Sequence, residues 1–141
     1  MMSFTYQGLQ FRTPLEAKWA AFFDLAGWEY RTNPIAVQNV QPDFRVTFKC
    51  GHSECSGSHT LLATVLPVDS VDKFKGHPAY ARSQDFGVDG PGGCDGWAIL
   101  GNGPSVTQWC MSHGAGGGMD NVPTWVDDAE ELWVRAGKLI S

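Results

Sequence analysis

The sequence is short of charge, and of positive charge above all. Only 18% of its 141 residues are charged, and ten Lys and Arg stand against fifteen Asp and Glu for a net charge of -5. That balance excludes the broadly basic surface with which a protein neutralises a nucleic-acid backbone, so a polyanion partner needs a local basic patch. Apolar runs long enough to span a bilayer are missing too, which argues against a membrane-crossing helix. The N-terminus, Met1-Met2-Ser3-Phe4-Thr5-Tyr6-Gln7-Gly8, has neither a basic stretch nor a continuous apolar one, so no secretory signal is expected. Four cysteines in such a chain are expected to be thiols or metal ligands rather than disulfides, and the expected location is the cytoplasm. No Gly-Lys-Ser/Thr follows the glycines of Gly87-Val88-Asp89-Gly90-Pro91-Gly92-Gly93, so this is loop material and not a phosphate-binding P-loop.

What the sequence does have is apolar and aromatic mass: 43% hydrophobic residues, including six Trp and eight Phe, enough for one domain with a substantial core. The spacing predicts a helix from Thr13 to Ala26. Thr13 suits the N-cap, Pro14 the first turn, and Glu16 the fourth position of a capping box. Leu15, Trp19, Phe22, Phe23 and Ala26 then form an apolar stripe that Gly27 ends. Short strands are expected over Trp28–Arg31 and Ile35–Val40. Asp43 to Phe48 alternates, with Phe44, Val46 and Phe48 on the buried face. Leu61 to Val68 is nearly continuous in apolar residues and reads as a central strand covered on both faces.

The second half has weaker patterning. A helical turn or two is expected between Asp69 and Ser83, and strands over Trp97–Leu100 and Val106–Met111 flank the turn Gly101-Asn102-Gly103-Pro104. Eleven of the seventeen glycines fall between Gly87 and Gly118, and Gly114–Gly118 reads as a flexible or tightly turned connection. A last helix is expected to be capped by Thr124, with Asp127 completing the box and Ala129, Leu132, Trp133 and Ala136 as its stripe. The whole is an α+β (α/β) single domain over residues 1–141. Its expected core is a central mixed sheet with an N-terminal helix and a C-terminal helix packed on it.

One loop carries metal chemistry by composition. Cys50, His52, Cys55 and His59 place four soft ligands within ten residues, and a Cys-x-His-x₂-Cys-x₃-His hairpin over 50–59 could close on one tetrahedral zinc. The alternative is a polar hairpin with two thiols, or with a Cys50–Cys55 disulfide. Cys94, Cys110 and His113 form a looser group, in which a Cys beside Trp on an apolar strand reads first as a small buried hydrophobe.

Glu16 and Asp43 each have an ordinary structural reading, one in a capping box and one at a turn after Pro42. Together with their neighbours they say more. The stretch Arg12-Thr13-Pro14-Leu15-Glu16-Ala17-Lys18-Trp19-Ala20-Ala21-Phe22-Phe23-Asp24, then Trp28-Glu29-Tyr30, then Gln41-Pro42-Asp43-Phe44, resembles the opening of small phage-type members of the PD-(D/E)xK nuclease superfamily. The resemblance covers about the first half of the chain and implies a restriction-endonuclease-like fold. In that family a helix Glu, a strand Asp and a Glu-x-Lys on the next strand meet around a divalent cation. The cation polarises the phosphate and activates water, and the Lys assists. Here the Glu-x-Lys positions read Thr64-Val65-Leu66, so Thr64 stands for the carboxylate and Leu66 for the lysine.

The expectation that follows is a nuclease-fold protein with a degenerate, inactive centre at Glu16 and Asp43. It would act by binding nucleic acid or a protein complex that handles it, such as a replication, packaging or host-defence complex. Two alternatives stay open: an active Mg²⁺-dependent endonuclease in which Lys49, Lys73 or Lys75 replaces the missing lysine, and an unrelated zinc-stapled interaction module.

Overall fold

Thr13 is a helix N-cap in the structure, a computed structural model that describes residues 5–36, 40–50, 57–84, 94–113 and 116–140. Its hydroxyl accepts from the Glu16 amide at 3.1 Å, and Pro14 opens the first turn of helix α1, Pro14–Ala26. Gly27 closes the helix at φ 78°, a left-handed conformation that costs glycine nothing, and its N–H caps the last carbonyls. The helix is buried on more of its circumference than a single stripe, because Glu16, Ala17, Ala20 and Ala21 are buried alongside Trp19, Phe22 and Phe23.

Ahead of α1, strands β1 (Thr5–Tyr6) and β2 (Leu9–Gln10) make a small hairpin. Its turn puts Gln7 at φ 52° and Gly8 at φ 78°. Gln7 is not one of the residues that announce a left-handed turn, which is why the pattern escaped the sequence.

The main sheet has six strands in the order of the chain: β3 (Glu29–Thr32), β4 (Phe44–Lys49), β5 (Ser58–Val65), β6 (Gly96–Leu100), β7 (Thr107–His113) and β8 (Gly116–Asp120). Every neighbouring pair is antiparallel except β5 and β6, which run parallel. A parallel pair needs a crossover. This one carries a 3₁₀ turn at Val71–Phe74 and helix α2, Ala79–Ser83, within the expected helical region. The sheet is therefore mixed and the chain an α+β domain, as expected.

Alternation assigns the two faces. Phe44, Val46 and Phe48 of β4, Leu61 and Ala63 of β5, and Trp109 and Met111 of β7 share a core with α1 and with helix α4, Ala129–Leu139. In α4 the buried residues are Ala129, Leu132, Trp133 and Ala136, the stripe read from the sequence. Trp133 meets Trp19 of α1 at a ring distance of 4.5 Å. On the opposite face Leu62, Trp97 and Ile99 pack with Phe74 and Ala79 in a smaller second cluster. Burial on both faces explains why β5 reads as a continuous apolar run. It ends at Val65, three residues before the expected Val68.

Three elements differ from expectation. The Ile35–Val40 strand is absent from its described part, where Ile35 is 71% exposed and only Val40 makes an isolated bridge. The outer edge of β3 is free of any described strand, but Asn33 at φ 50° turns the chain out of β3 and Pro34, without an N–H, cannot donate to a ladder, so this described part of the connection does not add a strand there. The glycines at 116–118 belong to β8 and not to a loose connection. Their ladder to β7 satisfies the backbone without needing side chains. Thr124 does not cap the last helix. It lies inside a separate short helix α3, Val122–Trp125, where Asn121 accepts from the Thr124 amide at 3.1 Å and Pro123 favours an earlier start.

Candidate functional site

The structure brings Glu16 and Asp43 to one place and links them through Arg12. Glu16 sits in the first turn of α1, held there by the Thr13 cap, and its Oε2 accepts from the Thr13 hydroxyl at 3.3 Å. Asp43 lies one residue before β4. The last regular pair between β4 and β5 is Phe44 with Ala63, and beyond it the Asp43 N–H donates to the Ala63 carbonyl at 2.8 Å. Pro42 has no N–H with which to carry the ladder further. The Asp43 carboxylate takes over as acceptor, and its Oδ2 receives the Val65 N–H at 2.8 Å. The aspartate is thereby fixed against the segment Ala63-Thr64-Val65.

Arg12 Nη2 donates to Glu16 Oε1 at 3.2 Å and also to Asp43 Oδ1. The two carboxylate side chains are 11% exposed each and the arginine 62%, so the guanidinium covers the carboxylates from the solvent side. Partial burial alone would lower the Arg12 pKa. The negative charges of Asp43 and Glu16 outweigh that, and the net shift is upward. The cation between these two carboxylates belongs to the chain itself.

Thr64 and Leu66 flank the same place. A depression of about 380 Å³ is lined by Arg12, Glu16, Asp43, Thr64, Leu66 and His77, among others. Thr64 is buried, and its Oγ1 accepts from the Trp97 indole N–H at 2.8 Å. Leu66 packs against the cluster around Trp97. His77 Nδ1 accepts from the Ala79 N–H at 3.0 Å, so its ring caps the start of α2.

No lysine is among the described lining residues. Lys73 is paired with Asp69 at 2.7 Å, and Lys49 lies at the far end of β4, about 20 Å of extended strand from Asp43. The structure thus joins the two carboxylates and the two substituted positions, and none of Lys49, Lys73 and Lys75 is among the described residues that line the depression. Sequence reasoning missed Arg12 and Trp97. The place of Arg12 one residue before the Thr13 cap was a usable signal for the first, since the chain enters α1 there beside the turn that carries Glu16. The Trp97 contact has no local signal.

Asp43 and Glu16 have the right oxygen chemistry for Mg²⁺, which takes carboxylates and waters in an octahedron. As arranged here they fit it poorly, because an ion between them would have to displace the Arg12 guanidinium, and the next strand offers a hydroxyl bonded to an indole and an alkyl chain.

Of the second candidate site, Cys50 and His59 are described. Cys50 follows β4, is buried, and donates its N–H to the Gly57 carbonyl at 3.0 Å. His59 pairs with Phe48 across the ladder, so alternation puts Cys50 and His59 on the same face of the sheet. The His59 ring is buried, with Nδ1 3.4 Å from Asp95 Oδ2. His52 and Cys55 lie outside the described residues. Among the described residues no group of three or more His, Cys, Asp or Glu is placed to hold a metal ion. Of the third group, Cys94 is a buried member of the second cluster, and burial raises its thiol pKa against the weaker downward pull of Arg45, the opposite of an activated nucleophile. Cys110 Sγ lies 4.0 Å from Met119 Sδ.

No family model matches the chain, and no curated protein or solved structure matches it either. No helix among the described residues is long and apolar enough to cross a membrane.

Proposed function

We propose that this chain is a nuclease-fold protein that does not cleave nucleic acid and that acts by binding, either to nucleic acid or to a protein complex that handles it. One observation carries the reading: Arg12 bonds both carboxylates of the Glu16 and Asp43 pair. In the family the sequence resembles, that pair serves a divalent cation. The Arg12 guanidinium offsets one of the two negative charges, but it has no coordinated water to activate and no open ligand position for a phosphate oxygen. The Trp97 bond to Thr64 supports the reading from the next strand, since it gives the substituted residue a structural task of its own. The net charge of -5 sets a condition on the partner. A protein complex with a basic groove can meet the acidic surface broadly, whereas nucleic acid must find a local basic face.

The test is incubation of the full chain with plasmid, single-stranded DNA and RNA in Mg²⁺ or Mn²⁺. The expected result is no cleavage above that of a Glu16→Gln, Asp43→Asn double variant. Metal-dependent cleavage that disappears in each single variant would establish the active endonuclease instead.

A further inference from the structure

Two carboxylate oxygens from different elements converge on one nitrogen. Glu16 Oε1 of α1 and Asp43 Oδ1, one residue before β4, both accept from Arg12 Nη2. The other oxygen of each carboxylate is held by the fold. Glu16 Oε2 accepts from the Thr13 hydroxyl at 3.3 Å, and Asp43 Oδ2 accepts from the Val65 N–H at 2.8 Å. Arg12 is the one member of the group with no such anchor. Its side chain is 62% exposed and makes no further hydrogen bond or ion pair among the described residues, so it can leave without breaking any polar contact beyond these two. Without it, two carboxylates with side chains 11% exposed would stand together with their oxygens already oriented. A pair of like charges so little hydrated is unfavourable until a cation joins it.

We propose that Arg12 is a built-in replacement for a divalent cation, and that this one side chain, not the residues at positions 64 and 66, keeps the chain from binding such an ion. The resemblance implies a divalent cation at Glu16 and Asp43. The structure disagrees with it there, because a guanidinium nitrogen already occupies the point on which Oε1 and Oδ1 converge. Thr64 and Leu66 are the weaker barrier. The Thr64 hydroxyl is committed to the Trp97 indole and Leu66 packs in the cluster around it, so they withhold ligands without filling the place of an ion. Water can supply what they withhold, since Mg²⁺ usually keeps several waters and needs one or two carboxylates. Arg12 excludes the ion by attachment, as a cation tethered beside its site at an effective concentration of about millimolar or higher. The inference rests on the inactive-centre reading of the proposed function and names the residue that keeps that centre shut.

The test titrates Mn²⁺ into the metal-free full chain, without nucleic acid, and counts bound ions from the loss of the electron paramagnetic resonance signal of free Mn²⁺. Arg12→Gln is expected to bind one Mn²⁺ about tenfold or more tightly than the parent does, with Thr64 and Leu66 left in place. Adding Asp43→Asn to that variant should abolish the gain. Arg12→Lys keeps the charge as a compact ammonium without the fork of the guanidinium, and should fall between the parent and Arg12→Gln. Urea midpoints give a second readout that serves even where a variant is less stable for want of its counter-ion. Mn²⁺ should raise the midpoint of Arg12→Gln and leave that of the parent unchanged. A parent that binds Mn²⁺ as tightly as Arg12→Gln overturns the inference, as does an Arg12→Gln chain that gains no ion by either readout, or a gain that survives Asp43→Asn. No gain in Arg12→Gln, together with no cleavage by the parent in Mg²⁺, strikes this inference alone and leaves the inactive-centre reading to rest on positions 64 and 66. Metal-dependent cleavage by the parent strikes that reading and the inference with it.

Discussion

Thr64 shows how a single side chain can hold a position in a fold for reasons remote from chemistry. Trp97 is wholly buried in the second cluster, and its indole N–H must find an acceptor or carry the full cost of lost hydration. Thr64 Oγ1 supplies it at 2.8 Å. A carboxylate in the same place would bring a charge to a residue that is 4% exposed. Thr64→Val keeps the shape and removes the acceptor, so it is expected to destabilise the protein by about 1–3 kcal/mol, read as a lower urea midpoint at unchanged slope. Thr64→Ser should restore most of the loss. A Thr64→Val variant as stable as the parent would show that Trp97 has another partner, and would remove this support for the proposed inactive centre. Arg12 is the other residue of this kind. Its bond to Asp43 spans 31 positions and that of Trp97 to Thr64 spans 33, so neither pairing has a local signal, whereas Glu16 and Asp43 were singled out by a resemblance and not by spacing.

At the scale of elements, periodicity was informative wherever one face of an element is buried. The α4 stripe and the β4 alternation show this, and so, through burial on both faces, does the continuous run of β5. It failed where pairing runs through the backbone alone, as in β8, and where an apolar run follows a turn that carries the chain off the sheet, as between β3 and β4. The contact of β3 with α1 has a consequence in pH. Tyr30 of β3 lies 5.8 Å from the ring of Phe23 and 5.9 Å from that of Phe44. Burial first, and then the negative charge of Asp24, pushes its pKa up to about 12, from an ordinary value of 10.0. A raised pKa means that the folded protein prefers the neutral phenol more than the unfolded chain does. The stabilisation is complete below about pH 10 and is lost as pH rises toward about 12. Tyr6 is shifted the same way, by burial and by its hydrogen bond to Asp24, so it contributes to the same alkaline limb. Denaturation midpoints measured from pH 9 to 12 should therefore fall, and Tyr30→Phe should make the fall shallower without abolishing it. An identical slope in the variant would show that Tyr30 ionises normally.

Over the whole molecule the sign of the charge and the place of the charge give different answers about a divalent cation. The net value of -5 attracts it on average, but at Glu16 and Asp43 the chain already supplies a cation of its own. The two effects differ in range, and salt should separate them. Attraction by the net charge acts over distances that salt screens, with a Debye length of about 8 Å at physiological ionic strength, whereas charges in contact at a mostly buried site are screened much less. Added salt should therefore weaken Mn²⁺ binding to Arg12→Gln only in part, and a site that needs Asp43 should remain at physiological ionic strength. A gain that vanishes at that salt would mean that the acidic surface as a whole holds the ion, and Arg12 would lose its assigned role. Replacing exposed Glu130 and Glu131 on α4 with glutamine in the Arg12→Gln chain should lower affinity at low salt and leave it unchanged at high salt, separating the field of the whole molecule from the contact at the site. An effect of that replacement that persists at high salt would place an ion on α4 itself.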